Sequence, residues 1–325
     1  MDLWLNENIY IFNTNINNSF YLKYCYPCAR QCITEYLTYN KYSRIDYIAV
    51  PEYLGNCVLN AINKISTTVP FIFLNKDNIK KIKCILIYDQ WGWEKDHSSI
   101  EYMKTIYNCQ IILDRVDTLL NYKNISDISG VDAQIFSLNK TLGIGGGGLI
   151  FCNNDYHKTN MSCENNICNV FTNYDNYKNY DFFDHLFKNN FNEYPPLFKK
   201  NIETQNIDCL IDYEMNCRQN NLDKLMNNLE HTLPTWMISQ YKLRKSLPGI
   251  FPLCLANLND TIILYVKDVF NLDIKILNFN FSEKYDYFNW KKVLAIPLHS
   301  KISIDLNDLI SYIKLKYKIC SYDEL

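Results

Sequence analysis

The 325-residue chain lacks a charge of one sign: 33 Lys and Arg face 35 Asp and Glu, for a formal net charge of −2. Without a net field, nothing draws the protein to nucleic acid or to an acidic membrane surface, and a dedicated nucleic-acid binder is excluded. No apolar run reaches the roughly 20 residues that a membrane helix needs, and no secretory leader precedes the first polar, Asn-rich stretch, so the expected location is the cytoplasm. A disulfide framework is also missing. The 13 cysteines are odd in number and scattered, which fits reduced thiols buried as small apolar side chains. Cys25, Cys28 and Cys32 form C-x-x-C-x-x-x-C, but no second C-x-x-C follows and Cys163 with Cys168 is the other close pair, so no metal is expected. The phosphate loop G-x-x-x-x-G-K-[ST] is absent as well, which disfavours a nucleoside triphosphate site.

Glycine is scarce, with nine residues, and five of them follow Lys140 within eight positions. The stretch is Gln134-Ile-Phe-Ser-Leu-Asn-Lys-Thr-Leu-Gly-Ile-Gly-Gly-Gly-Gly-Leu-Ile-Phe151, an apolar strand that runs into a lysine and then a glycine-rich turn. A lysine so placed is either a solvated surface residue or a nucleophile or phosphate ligand. Its neighbourhood favours chemistry: Ser137 lies three residues before it, and upstream Ile111–Leu113 reads as a buried strand that ends in the carboxylate Asp114.

With 48% hydrophobic residues the chain has ample material for a large core. Strand and helix patterns alternate along its first half. Strands are expected at 45–50, 69–74, 82–88 and 111–113, and helices at 27–37, 53–65 and 98–107. A long helix is expected over 209–229, then strands at 251–256, 274–277 and 293–297, a helix at 260–272, and a last helix capped by Asp305. The alternation implies a mostly parallel sheet whose right-handed crossovers gather the strand ends along one edge, where Arg30, Asp114, Ser137 and Lys140 can converge. Trp91 and Trp93, in the loop after 82–88, are read as lining that edge or as core. Residues 1–24 and 152–204 show no clear period.

The order strand-Asp, then strand-Ser-x-x-Lys, then Gly-Gly resembles fold type I pyridoxal-phosphate enzymes, specifically the DegT/DnrJ-type sugar aminotransferases. In one branch of that family the segments read approximately E-D-R-T-H-S-L and S-[IL]-R-K-x-x-x-x-P-D-G-G; here they stand as L-D-R-V-D-T-L (113–119) and S-L-N-K-T-L-G-I-G-G-G-G (137–148). R-x-N-N-x-x-x-L (218–225) and V-L-A-I-P-L-H-S (293–300) are similar to the family's interdomain helix and terminal segment. The resemblance implies a large cofactor-binding domain over 1–205, with a seven-stranded mostly parallel sheet flanked by helices, and a smaller α+β domain over 206–325.

It implies further that Lys140 holds pyridoxal 5'-phosphate and then moves protons, with a pKa lowered toward neutrality by burial. Asp114 would face the ring nitrogen, while Ser137 and the helix start at Ala29 and Arg30 would bind the phosphate. Several positions depart from the pattern, among them Asn139 in place of the arginine before the lysine and Gly145-Gly146 in place of P-D. Asp117 stands where the family has His or Gln against the ring, and Gly55 falls where a residue often stacks on the ring; Tyr53 is the available substitute. The implied reaction is amine transfer, with glutamate as donor, to a keto-sugar that is nucleotide-linked, in surface-polysaccharide precursor synthesis, by a homodimer with shared active sites. The alternatives are a cofactor-dependent sugar dehydratase, against which the retained lysine argues, and a non-catalytic binding homologue. Arg30, Arg115, Arg218 and Arg244 are candidates for the donor carboxylate, and His299 reads as structural.

Overall fold

The computed structural model describes residues 21, 24–26, 28–74, 79–144, 146–152, 206–285 and 287–324. Strand β1 (Cys25–Tyr26) leads into α1 (Ala29–Tyr39), which starts after the extended backbone of Cys28 and buries Cys32, Ile33, Tyr36 and Leu37. These four positions lie on one helical face, so the spacing read from the sequence is the face that packs. Then follow β2 (Tyr47–Val50), α2 (Asn56–Ile62), β3 (Thr67–Pro70), β4 (Ile82–Tyr88), α3 (Ser98–Tyr107) and β5 (Gln110–Asp114). After β6 (Ala133–Ser137), the short α4 (Leu138–Leu142) and β7 (Gly148–Cys152) complete this part. The seven strands form one sheet in the order β1-β7-β6-β5-β4-β2-β3. Pairs β2–β3, β2–β4, β4–β5 and β5–β6 are parallel, and β7 runs against both β6 and β1.

A central parallel sheet is covered on both faces, and its strands are therefore apolar throughout rather than alternating. Ile48, Val50, Cys84, Leu86 and Ile112 pack on one face with Ile33 and Leu37 of α1. Ala49, Ile85, Ile87, Ile111 and Leu113 pack on the other with Ile100 and Met103 of α3.

The chain then forms α5 (Ile207–Leu229), α6 (Thr235–Leu243), β8 (Ile250–Leu253), α7 (Thr261–Phe270), β9 (Lys275–Asn280), β10 (Trp290–Pro297) and α8 (Leu306–Lys316), whose N-cap is Asp305. Strands β8, β10 and β9 make a three-stranded antiparallel sheet in that order. One apolar cluster joins Phe136, Leu138 and Leu149 of the large sheet to Leu222 and Leu225 of α5 and to Phe251 and Leu294 of the small one.

Two elements differ from the sequence expectation. The helix expected over 53–65 shrinks to α2 because Gly55 is still extended and Asn63 leaves the helix to bond Thr68, accepting from its N–H at 3.0 Å. The strand expected over 69–74 begins earlier and stops at Pro70, which has no N–H to continue a ladder, and Phe71–Phe73 turns into a 3-10 helix. The unperiodic residues 1–20 and 153–205, with Cys163 and Cys168, lie outside the described residues, as does Gly145. Among the described residues no group of three or more His, Cys, Asp or Glu could hold a metal ion, and no helix is long and apolar enough to cross a membrane.

Candidate active site

Three parallel strands end side by side and deliver the polar groups. In register, Tyr88 at the end of β4 faces Asp114 at the end of β5, and Asp114 faces Ile135, two residues before Ser137 ends β6. Asp114 is 1% exposed, and one of its oxygens accepts the Val116 N–H at 3.1 Å, an Asx turn that folds the chain back and brings Asp117 over the strand ends. Ser137 caps α4 by accepting the Lys140 N–H at 3.3 Å, which places the lysine on the first turn of that helix.

Lys140 Nζ lies 3.0 Å from Asp117 Oδ1, and 38% of the lysine side-chain surface stays accessible while Asp117 is enclosed. Tyr88 donates its phenol proton to Asp117 Oδ2 in a short hydrogen bond. Burial pushes the Asp114 carboxyl up to about 7, against the pull of the Lys140 ammonium and with a further push from Asp117. For Lys140, burial opposes the charged form, yet the Asp117 and Asp114 carboxylates outweigh it and hold the ammonium above the ordinary lysine value. The lowered pKa expected from burial is thus corrected: two carboxylates around one amine reverse the sign.

Gly148, at the start of β7, lets α1 approach the sheet. A Cβ there would lie 2.3 Å from Ala29 N and 2.4 Å from Cys28 C, so the first residues of α1 sit directly on the strand beside Ser137, with which Gly148 pairs. The first turn of α1, at Ala29 and Arg30, carries no acid. Gly55 caps α2 from an open position, where a Cβ would meet only Cys57 Sγ at 3.6 Å, and the Cys57 thiol is near enough to act on the Lys140 charge.

The structure therefore brings Asp114, Asp117, Ser137 and Lys140 together, with Ala29 and the N-terminal turn of α1 against β7 next to Ser137. Tyr88 was missed in the sequence. As an apolar-flanked tyrosine at a strand end it reads as core, and only the register of β4 with β5 shows what it touches. Other expectations move. Trp91 and Trp93 belong to the core, Trp93 donating to the Ile250 carbonyl at 2.9 Å, and Tyr53 is 60% exposed and stacks edge-on against Trp290.

Three of the four arginines offered for a carboxylate already pair with acidic side chains. Arg115 pairs with Asp89 and Glu94, donates to Gln134 and lies over the Phe136 ring; Arg218 pairs with Glu214 at 2.9 Å and donates to the Thr141 carbonyl at 3.0 Å, tying α5 to the turn after Lys140. Arg244 is exposed beside Asp223. His299 is 3% exposed, in the loop after β10, as a structural residue would be.

No protein-family model matches the chain, and no curated protein matches it by sequence. Solved structures do match. An aminotransferase of the DegT DnrJ EryC1 StrS type from Brucella abortus superposes with a TM-score of 0.54 at 12% identity, over 89% of this chain and 84% of that one. Helicobacter pylori PseC, an aminotransferase involved in the biosynthesis of pseudoaminic acid, gives 0.55 at 12% over 90% and 85%. The ntda protein of Bacillus subtilis, with bound cofactor PMP, gives 0.56 at 13% over 89% and 71%. At such identities the likeness establishes the fold. It is that of the fold type I, DegT/DnrJ-type aminotransferases, across most of the chain.

Proposed function

We propose that this chain is a pyridoxal-phosphate-dependent aminotransferase that moves an amino group, from glutamate, onto a keto-sugar carried by a nucleotide. The observation that carries the reading is a lysine, Lys140, close enough to act on the charge of a buried acid, Asp114, at the carboxyl edge of a sheet with this fold. The donor set fits the cofactor. Lys140 would supply the amine that anchors it. Asp114, buried at the end of β5, would bond the ring nitrogen as a charge-assisted partner. Ser137 already accepts from the Lys140 N–H, so its own hydrogen is the donor left for an anion, beside the N-terminal turn of α1 at Ala29 and Arg30, where backbone N–H groups point out of the helix.

When bound, pyridoxal phosphate supplies an aldehyde that condenses with amines and a ring that takes up the electrons released when a C–H bond breaks. The chain's share is to hold, orient and move protons. Released from its anchoring role, Lys140 Nζ accepts a proton from one carbon and returns it to another, as general base and then acid. Gly55 would offer the cofactor no side chain, and Asp117 with Tyr88 would supply the polar groups beside Lys140. A homodimer with shared sites, as in the DegT/DnrJ resemblance, belongs to the same reading.

The test is spectroscopic. Purified protein given pyridoxal phosphate develops a visible absorption band that borohydride bleaches, Lys140→Ala does not, and glutamate converts the band to the pyridoxamine form. A protein that stays colourless after reconstitution would refute the reading. A non-turnover homologue, the reading favoured by the Lys140–Asp117 ion pair, would instead keep its band unchanged with every amino donor tried.

A further inference from the structure

Asp117 is fixed from three sides. Tyr88 holds its Oδ2 by a short hydrogen bond, and the same phenol oxygen accepts the Trp91 N–H at 3.4 Å. Trp91 reaches that position by adopting φ 60, a left-handed conformation that a bulky residue rarely takes. Gly92, at φ 86, then lets the loop lie where any Cβ would be 2.8 Å from the Asp117 carbonyl. The result is one enclosed carboxylate whose second oxygen, Oδ1, has the Lys140 amine at 3.0 Å.

We propose that Tyr88 is a positioning residue for Lys140: by gripping Oδ2 of Asp117 it keeps Oδ1 within 3.0 Å of the amine, so that Lys140 rests as an ammonium and passes one proton to Asp117 before its nitrogen reacts. The inference rests on Lys140 being the reactive amine of the site. In the step, an N–H bond of Lys140 breaks, an O–H bond forms at Oδ1, and the nitrogen keeps the electron pair that makes it a nucleophile. The ion pair becomes a neutral pair, so no proton leaves the site and no outside base is needed. Tyr88 keeps its own proton through the step, because burial and the nearby Asp117 and Asp114 carboxylates push its phenol well above the ordinary range. The groups that act on the Lys140 charge are Asp117, Asp114 and the Cys57 thiol, and Asp114 in turn feels Asp89. Of these, Asp117 lies in direct contact with the amine, at 3.0 Å.

The test needs no cofactor. Trace acylation of the full-length apoprotein with acetic anhydride, read by mass spectrometry of the Lys140 peptide across neutral to alkaline pH, reports the fraction of free amine. The exposed Lys292 serves as internal standard. Asp117→Asn removes the charge with the shape kept, and below the wild-type midpoint Lys140 should label faster than in the wild type, about tenfold for each unit by which its pKa falls. Tyr88→Phe, which leaves the carboxylate free to rotate off the amine, should fall between the two. Equal labelling of Lys140 in wild type and Asp117→Asn overturns the proposal, and this holds even where Tyr88→Phe fails to fold. Because labelling is independent of pyridoxal phosphate, a protein that shows the shift without ever taking up the cofactor refutes the proposed function alone. A coloured protein without the shift refutes only the positioning role.

Discussion

Replacing Gly148 by Ala should both weaken the fold and damage the anion cradle. The added methyl group would lie 2.3 Å from Ala29 N, 2.4 Å from Cys28 C and 2.6 Å from Ala29 Cα. All three are backbone atoms, so no side chain can rotate away. Restoring ordinary contact requires the start of α1 to retreat by about 1 Å, and α1 carries Cys32, Ile33, Tyr36 and Leu37 into the core behind it. Overpacking of this kind costs about 1–3 kcal/mol. The same retreat pulls the first N–H groups of the helix from an anion bound beside Ser137. A hydrogen bond to a charged group is worth about 1.5–3 kcal/mol, so affinity for pyridoxal phosphate should fall by about tenfold or more. Urea denaturation of the apoprotein reads the first effect, and titration of the visible band reads the second. Gly55→Ala is the control, since its methyl would meet only Cys57 Sγ at 3.6 Å, no backbone has to move, and the loss should stay near the ordinary penalty for alanine at a helix N-cap, about 1 kcal/mol or less. A Gly148→Ala protein with wild-type stability and wild-type affinity would refute the close approach of α1 to β7 as the origin of the cradle.

Two buried charges give the apoprotein opposite pH dependences. Asp114, raised to about 7 by burial from an ordinary 3.8, contributes stability that is full below about pH 4 and lost as pH rises through 7, so Asp114→Asn should gain on the wild type across that window. Lys95 sits in the core and is lowered to about 7 by burial from an ordinary 10.5, against the pull of Asp89. Its contribution is present above 10.5 and lost as pH falls toward 7, so Lys95→Met should gain on the wild type in the descending direction. Each difference curve changes by at most about 1.4 kcal/mol per pH unit, and a flat curve in chemical denaturation would contradict the burial assigned to that group. Arg218→Met leaves the Glu214 carboxylate buried with the Ser300 N–H as its remaining donor at 3.2 Å, and should cost about 3–5 kcal/mol by denaturation. Adding Glu214→Gln should recover part of that loss, because a neutral amide is cheaper to bury than an unpaired charge.

Much of the site was legible because its motif is local. Asp114 ends one strand and Ser137 with Lys140 ends the next, and parallel strands joined by right-handed crossovers put such ends on the same edge whatever fills the loops between them. The helical face of α1, the span of α3 and the Asp305 cap of α8 follow equally from short-range rules, spacing and capping, that need no knowledge of neighbours. Element ends were less legible. Whether the chain after Val69 stays in the ladder depended on Pro70, and the end of α2 depended on a bond from Asn63 to Thr68.

By itself, then, the amino-acid order determined the alternation of strands and helices, the meeting of an acid and an amine at one sheet edge, and the lack of any field for a polyanion. What only the tertiary structure decided was the electrical state of that edge. Tyr88 comes from β4, Asp117 from the turn after β5 and Lys140 from α4, and their contacts span the loops between. A charge takes its pKa from whatever stands within a few ångströms in space, so the amine that burial alone would have discharged is held charged by two carboxylates, an outcome no spacing along the chain encodes.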